Sequence, residues 1–420
     1  MPRIYWAISS YLIIPFILLN LGCSSLSIFG KGRSSVEVVE KKPRMLPWGM
    51  YLLNRERLAT TEDSLSQPLD FYWSFRITSV WKLLPQYRPI QHSSPAVVDN
   101  IAYIGSAEKG FYALDIKEKK VLWVFPTQEP VESSPAVSPN RVYFGTTDGT
   151  FYCVDIKNGR EVWKFQAKTE ILSSPLVVED LLYFTSIDDR IYALKAATGE
   201  KVWHYSKTSI KKVTRRLFAS LAFSNGRLYG ILSDGDLVAL DASSGREVWR
   251  KRVTSDTDSS MVRSTPTIEG GLIYVINRDM FLVALDGDKG EEKWRFDITK
   301  VVDFAIKKNT VFLINPEGQV FAVNKVTGEL LWRRKVTKGN PVSVIYAGNY
   351  LVVASRYSSA FFDIELLTST EGYIDIFTDK GEKVWSEKTD SGISTTPVVA
   401  YNQLLFVTDK GHLNIYKARN

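Results

Sequence analysis

Three histidines, His92, His204 and His412, and two cysteines, Cys23 and Cys153, carry the most versatile chemistry in this 420-residue chain. An imidazole relays protons near neutral pH or ligates a metal, and a thiolate attacks carbon or holds a soft ion. Both chemistries need partners at fixed spacing. Each histidine stands alone in a different stretch, and no zinc-type spacing, Ser-His-Asp arrangement or phosphate-binding loop surrounds any of them. They read as surface or turn residues. No compact Asp/Glu/Asn cluster has the oxygen-rich character of a hard-ion site. The sequence therefore assigns no catalytic residue, no metal site and no cofactor, and it predicts a protein that is not an enzyme. Cys153 alternates with Phe151 and Asp155 on an expected strand, as a small buried hydrophobe would.

Cys23 has a different setting. Met1-Pro2-Arg3 precedes an apolar run from Ile4 to Leu21, which ends at Gly22-Cys23-Ser24-Ser25. A short basic start, an apolar core and a small residue before the cysteine describe an export signal. Asn20-Leu21-Gly22-Cys23 resembles the bacterial lipobox, with Asn20 where that pattern usually has leucine. The resemblance implies lipidation of Cys23, removal of residues 1–22 and tethering to a membrane, and Ser24 is compatible with outer-membrane sorting. The alternative is an uncleaved N-terminal anchor. Either way the body is exported. Residues 23–78 have no clear period, are basic early and are broken by Pro43, Pro47 and Pro68, so a tether is expected there. Trp48, Met50, Tyr51, Phe71, Tyr72 and Trp73 give part of it enough apolar surface to lie on the folded body.

Composition sets the class of the rest: 45% apolar, 24% charged and 12% aromatic residues suit a large globular core. The net charge of +7 is mild for this length, and no basic stripe alternates with stacking aromatics, so no nucleic acid is expected as a partner.

A repeat organises residues 79–420. Trp123, Trp163, Trp203, Trp249, Trp294, Trp332 and Trp385 are separated by 40, 40, 46, 45, 38 and 53 residues. Four positions before six of them stands a glycine, Gly159, Gly199, Gly245, Gly290, Gly328 or Gly381, with Lys119 the exception. A glycine there suits a turn with positive φ, and most residues eight positions before the tryptophan, such as Asp155 and Asp241, can cap that turn. Five units open on Ser/Thr-Ser/Thr-Pro, as at Ser133-Ser134-Pro135, and three more enter at Leu221, Phe304 and Val344 without the proline. Each unit reads with period 2 as four short strands. That makes eight first strands but only seven tryptophans downstream, because the last unit stops after its third strand. Ser79-Val80-Trp81-Lys82-Leu83 is the expected closing strand, with Trp81 as the eighth tryptophan. The prediction is an all-β, eight-bladed β-propeller of four-stranded antiparallel blades, closed by an N-terminal strand. An open solenoid would need polar caps, and a WD-repeat propeller would show Trp-Asp and Gly-His pairs. The tryptophan column is expected to fill the space between blades.

Ala239-Leu240-Asp241, Gly245 and Val248-Trp249 resemble the pyrroloquinoline-quinone (PQQ) propeller repeat. Two families share it: the quinoprotein alcohol and sugar dehydrogenases, and the BamB lipoproteins of the outer-membrane β-barrel assembly machine. The dehydrogenase resemblance implies a quinone under a vicinal disulfide in many members, a calcium-like ion and an aspartate base. This chain has no adjacent cysteines. Resemblance to BamB around Ser264-Thr265-Pro266 and Val302-Asp303-Phe304 implies a non-catalytic scaffold that holds a POTRA domain of the barrel-assembly protein. Met261, Val262, Arg263 and Asp303 are the residues this suggests for the contact.

Loop lengths point independently to a rim. Twelve residues usually separate the tryptophan from the next opening position, but Trp203 to Leu221 takes 18 and Trp249 to Pro266 takes 17. A third insertion, residues 356–371, contains Phe361 and Phe362. Strand alternation puts all three on one face. Lys211, Lys212, Arg215 and Arg216 in the first suit an acidic protein surface or anionic headgroups, or simply a solvated loop. Phe361 and Phe362 are either an exposed anchor or the buried side of an extra strand.

Overall fold

Blade one shows how the repeat folds. Ala96–Val98, Ile101–Gly105, Phe111–Asp115 and Lys120–Phe125 form an antiparallel meander, innermost strand first. Seven further sheets repeat this order, giving eight blades in a ring and no helix among the described residues. The computed structural model describes residues 49–78, 90–108, 110–206, 219–253, 265–277, 279–361 and 364–419. All of them belong to one unit, Leu46–Asn420.

The repeat columns acquire physical roles here. The turn aspartates cap as expected: the Asp155 carboxylate accepts the amides of Lys157 (3.0 Å) and Asn158 (3.2 Å). Each tryptophan reaches into the following blade, as where the Trp163 indole donates to the Ala196 carbonyl at 3.1 Å. The column glycine of that following blade receives the indole face. A Cβ built on Gly199 would lie 2.6 Å from Trp163 Cε3, at a φ of +74°. Positive φ explains only half of this glycine, and close approach of the ring explains the rest.

The ring closes with an N-terminal strand, but a different one from that expected. Leu69–Arg76 pairs antiparallel with His412–Ala418 as the outer strand of blade eight. Trp73 faces Ile415 beside a bulge at Phe71/Trp73, the register that Trp163 keeps against Cys153 in blade two. Trp73 is thus the eighth member of the column; Trp81 lies outside the described residues. The alternation Leu69, Phe71, Trp73, Phe75 has the period of a strand, but without a preceding glycine turn nothing in the sequence tied it to the column.

The body also reaches back well before residue 79. Residues 49–61 lie inside the ring, against the inner strands of successive blades. The inner strands leave amides unpaired toward the axis, and this segment satisfies them. Val137, Phe223, Ile268 and Tyr346 donate to the carbonyls of Gly49, Arg55, Glu56 and Ala59 at 2.7–2.9 Å. Thr60–Thr61 then adds a short parallel strand to Asn340–Ala347 of blade seven. At its centre Arg57 is fully buried. Its guanidinium donates to the carbonyls of Leu221 (2.9 Å), Pro175 (3.1 Å), Ser174 (3.4 Å) and Tyr51 (2.5 Å). One side chain thereby fastens the axial strap to blades three and four.

Candidate functional site

Of the three insertions expected to form a rim, the one in blade seven lies among the described residues. The second and third strands of that blade, Tyr350–Phe361 and Ile364–Thr378, run 12 and 15 residues, whereas every other second strand has five. Residues 356–361 and 364–371 therefore do not form a loose loop: they continue the ladder as a projecting hairpin, paired from Tyr350↔Thr378 to Phe361↔Ile364. Glu371 fastens its base, accepting from Lys388 (2.6 Å), Lys338 (3.3 Å) and the Tyr373 hydroxyl (2.8 Å). Those partners, Lys388 first, pull its carboxyl down to about 2. Phe361 occupies the last rung. Phe362, Lys211, Lys212, Arg215, Arg216, Met261, Val262, Arg263 and the cysteine at position 23 lie outside the described residues.

Asp303 is not on an exposed loop. It opens the inner strand of blade six, Asp303–Lys307, and lines an axial cavity of about 240 Å³ with Tyr51, His92, Ser94, Ser343 and Arg356. Arg356 belongs to the long hairpin and Ser94 to a blade opening, so hairpin and cavity share one face of the ring. A belt of hydrogen bonds surrounds the axis here. The amide of Thr396 donates to Ser94 Oγ (3.0 Å), Ser94 to Ser134 (2.9 Å), Ser134 to Ser174 (3.3 Å), Ser174 to Ser220 (2.9 Å) and Ser220 to Thr265 (3.0 Å). These hydroxyls are the second residues of the Ser-Ser-Pro column. Blade six alone puts a carboxylate in that column, and Asp303 Oδ2 accepts from the Ser343 hydroxyl (2.9 Å) and the Val344 amide (3.0 Å).

Of the residues first considered for chemistry, Cys153 is buried, with its thiol pushed up to about 12 by desolvation. His204 lies on the outer strand of blade three, and His412 stands 3.7 Å from Asp390. His92 departs from a surface position by lining the axial cavity. Among the described residues no three His, Cys, Asp or Glu side chains form a metal-binding group, and no helix is long and apolar enough to cross a membrane.

The family model described as outer membrane protein assembly factor BamB matches residues 73–168 and 135–280. The chain is a PQQ-type repeat propeller. Solved PQQ-type propellers from both families share its fold. BamB from Moraxella catarrhalis is 19% identical, with a TM-score of 0.64, over 84% of this chain and 99% of that one. Quinohemoprotein alcohol dehydrogenase from Comamonas testosteroni is 14% identical, with a TM-score of 0.67, over 89% and 81%. At such identities the likeness is one of fold. No curated protein sequence matches this one.

In this PQQ-type propeller the axial belt and the Arg57 strap are what reading the sequence missed. The belt had a signal: carrying the Ser-Ser-Pro column through the proline-less units gives Ser220, Asp303 and Ser343, a single carboxylate among hydroxyls. For the strap, Met50 and Tyr51 signalled contact with the body, but nothing marked Arg57 as its centre, because the groups it meets are backbone carbonyls that any sequence carries.

Asp303 also makes stability depend on pH. Desolvation raises its carboxyl to about 6, against the hydrogen bonds from Val344 and Ser343. A folded pKa above the unfolded value of 3.8 means this contribution is complete below 3.8 and is lost as pH rises through about 6. Asp303→Asn keeps an oxygen for Ser343 and Val344. It should leave stability nearly unchanged at pH 4 and raise it at pH 8, by up to about 3 kcal/mol for a shift of about two pKa units. Urea midpoints of both proteins at the two pH values check this, and an equal difference at both would contradict it.

Proposed function

We propose that this chain is a lipid-anchored periplasmic scaffold of the BamB type, which binds a component of the outer-membrane β-barrel assembly machine without catalysing a reaction. The projecting hairpin of blade seven carries this reading. A rigid ring that lengthens one hairpin far beyond its repeat presents a fixed recognition element, and the longer sequence spacings before Leu221 and Pro266 point the same way. The match to the BamB family model adds support. Cys23 supplies the anchor to the outer membrane, and a POTRA domain of the barrel-assembly protein is the partner for the rim. Met261, Val262 and Arg263 form one part of that contact; Lys211, Lys212, Arg215 and Arg216 form another, and Phe361 and Phe362 a third. Asp303 supports the rim from the axial side.

Photo-crosslinkers at Ser358 and Ser369 on the hairpin should capture a barrel-assembly component in intact cells. The same crosslinker at Asn140, on the opposite face, should not. Equal capture from both faces, or none from the hairpin, would remove the support for a docking rim.

A quinoprotein dehydrogenase is the second reading, and one observation favours it: a carboxyl with a pKa near 6 in an axial cavity is poised for proton transfer. The other residues do not fit a quinone with its ion. The two cysteines are Cys23 and Cys153, which cannot form a vicinal disulfide, and no group of acidic ligands accompanies Asp303 among the described residues. A visible absorption titration with quinone and calcium separates the readings: saturable binding with substrate-dependent dye reduction would overturn the scaffold.

A further inference from the structure

We propose that the axial cavity binds a small polar molecule through a primary ammonium group, with Asp303 as the anchoring carboxylate. The proposal does not depend on which protein docks on the rim.

Charge points to the ammonium. Arg356, the cavity's guanidinium, already faces Asp409 at 3.0 Å. Asp303 has no cationic partner among the described residues: its hydrogen bonds come from the Ser343 hydroxyl and from backbone amides of Val344 and Phe304. A carboxylate desolvated without a counter-ion is costly, and a cation delivered by a ligand removes that cost. The internal repeat sharpens the point. Seven blades complete the axial belt with a serine or threonine hydroxyl, so the fold does not need a carboxylate in this column.

Geometry then selects the kind of cation. An ammonium offers three N–H donors in a compact head. Around Asp303 the lining presents hydroxyl oxygens as further acceptors, Ser343 and Thr396 standing 3.1 Å apart and Ser94 beyond them. Calcium takes six to eight oxygens and usually more than one carboxylate, so this lining suits it less. At roughly 30 Å³ per water, a volume of about 240 Å³ accommodates a molecule of about eight water-sized groups. That is the size of an amino sugar or a short amino alcohol. His92, Tyr51 and Arg356 are the other titratable groups on the walls, contributed by blade one, the axial strap and blade seven.

Calorimetric titration of the full chain at pH 8 with glucosamine, ethanolamine, glucose and tetramethylammonium tests this. Glucosamine or ethanolamine should bind, and glucose, which lacks the ammonium, and tetramethylammonium, which lacks N–H donors, should bind at least tenfold more weakly. Asp303→Asn should weaken the amine by at least tenfold, while Thr396→Val, which keeps the carboxylate, should weaken it less. Both variants must first show the wild-type circular dichroism spectrum. Equal binding of glucose and glucosamine, full retention by Asp303→Asn, absence of binding by either amine, or displacement of the amine by calcium alone at equimolar concentration would each overturn the proposal.

Discussion

Arg57→Ala should destabilise the ring by about 3–5 kcal/mol, the range expected when a buried charged side chain that satisfies several polar groups is removed. The guanidinium is fully buried and faces four carbonyls, of Leu221, Pro175, Ser174 and Tyr51. Among the described residues no carboxylate balances it. Its charge is tolerated because carbonyl dipoles converge on the planar fork and the Tyr51 ring lies 5.9 Å from Cζ. Desolvation lowers its pKa to about 10, which still leaves it protonated at neutral pH. Truncation would leave the carbonyls dry and a void on the axis. Arg57→Lys should recover only part of the loss, because a single ammonium cannot span the positions the fork reaches. Neighbouring Arg55 is the control: its side chain is 51% exposed and pairs with Glu56, so Arg55→Ala should change stability by less than about 0.5 kcal/mol. Urea unfolding of the three variants, with limited proteolysis to see whether residues 49–68 become cleavable, gives the result. Equal midpoints for Arg57→Ala and Arg55→Ala would show that the strap is not held from its centre.

A second large effect is expected at the interblade lock. Gly199→Ala combines a backbone penalty at φ +74° with a Cβ 2.6 Å from Trp163 Cε3, which must then give way. The left-handed backbone costs about 1–2 kcal/mol and overpacking about 1–3, so a loss of about 2–5 kcal/mol is expected. The bond from the Trp163 indole to Ala196 would lengthen, which near-ultraviolet circular dichroism reports. Gly270 isolates the two contributions. It has a φ of +59° and nothing within 4 Å of a built Cβ, so Gly270→Ala should show the backbone penalty alone. If both substitutions cost the same, the indole contact contributes nothing and the column glycines are there for the turn only.

Much of the architecture was legible because a propeller writes its periodicity into local signals. Tryptophan, glycine and Ser-Ser-Pro columns each report a turn or packing site that recurs within one blade, so spacing alone yields the blade count. The closing strand was read one segment too late. Trp81 and Trp73 both carry the column residue, and choosing between them depends on pairing with His412–Ala418, more than three hundred residues away. The blade-seven insertion illustrates the same boundary. Its length was legible, yet only pairing from Tyr350↔Thr378 to Phe361↔Ile364 shows that it continues the ladder as a hairpin.

By itself, then, the sequence determined the fold, the number of blades, the inert setting of Cys153 and the insertion in blade seven. Hydrophobic periodicity and turn chemistry act within a few residues, and these are consequences of them. Only the tertiary structure decided which strand closes the ring, that residues 49–61 lie inside it around Arg57, and that Asp303 lines a cavity. Each depends on unpaired inner-strand edges converging on one axis, a condition that exists only once all eight blades are in place.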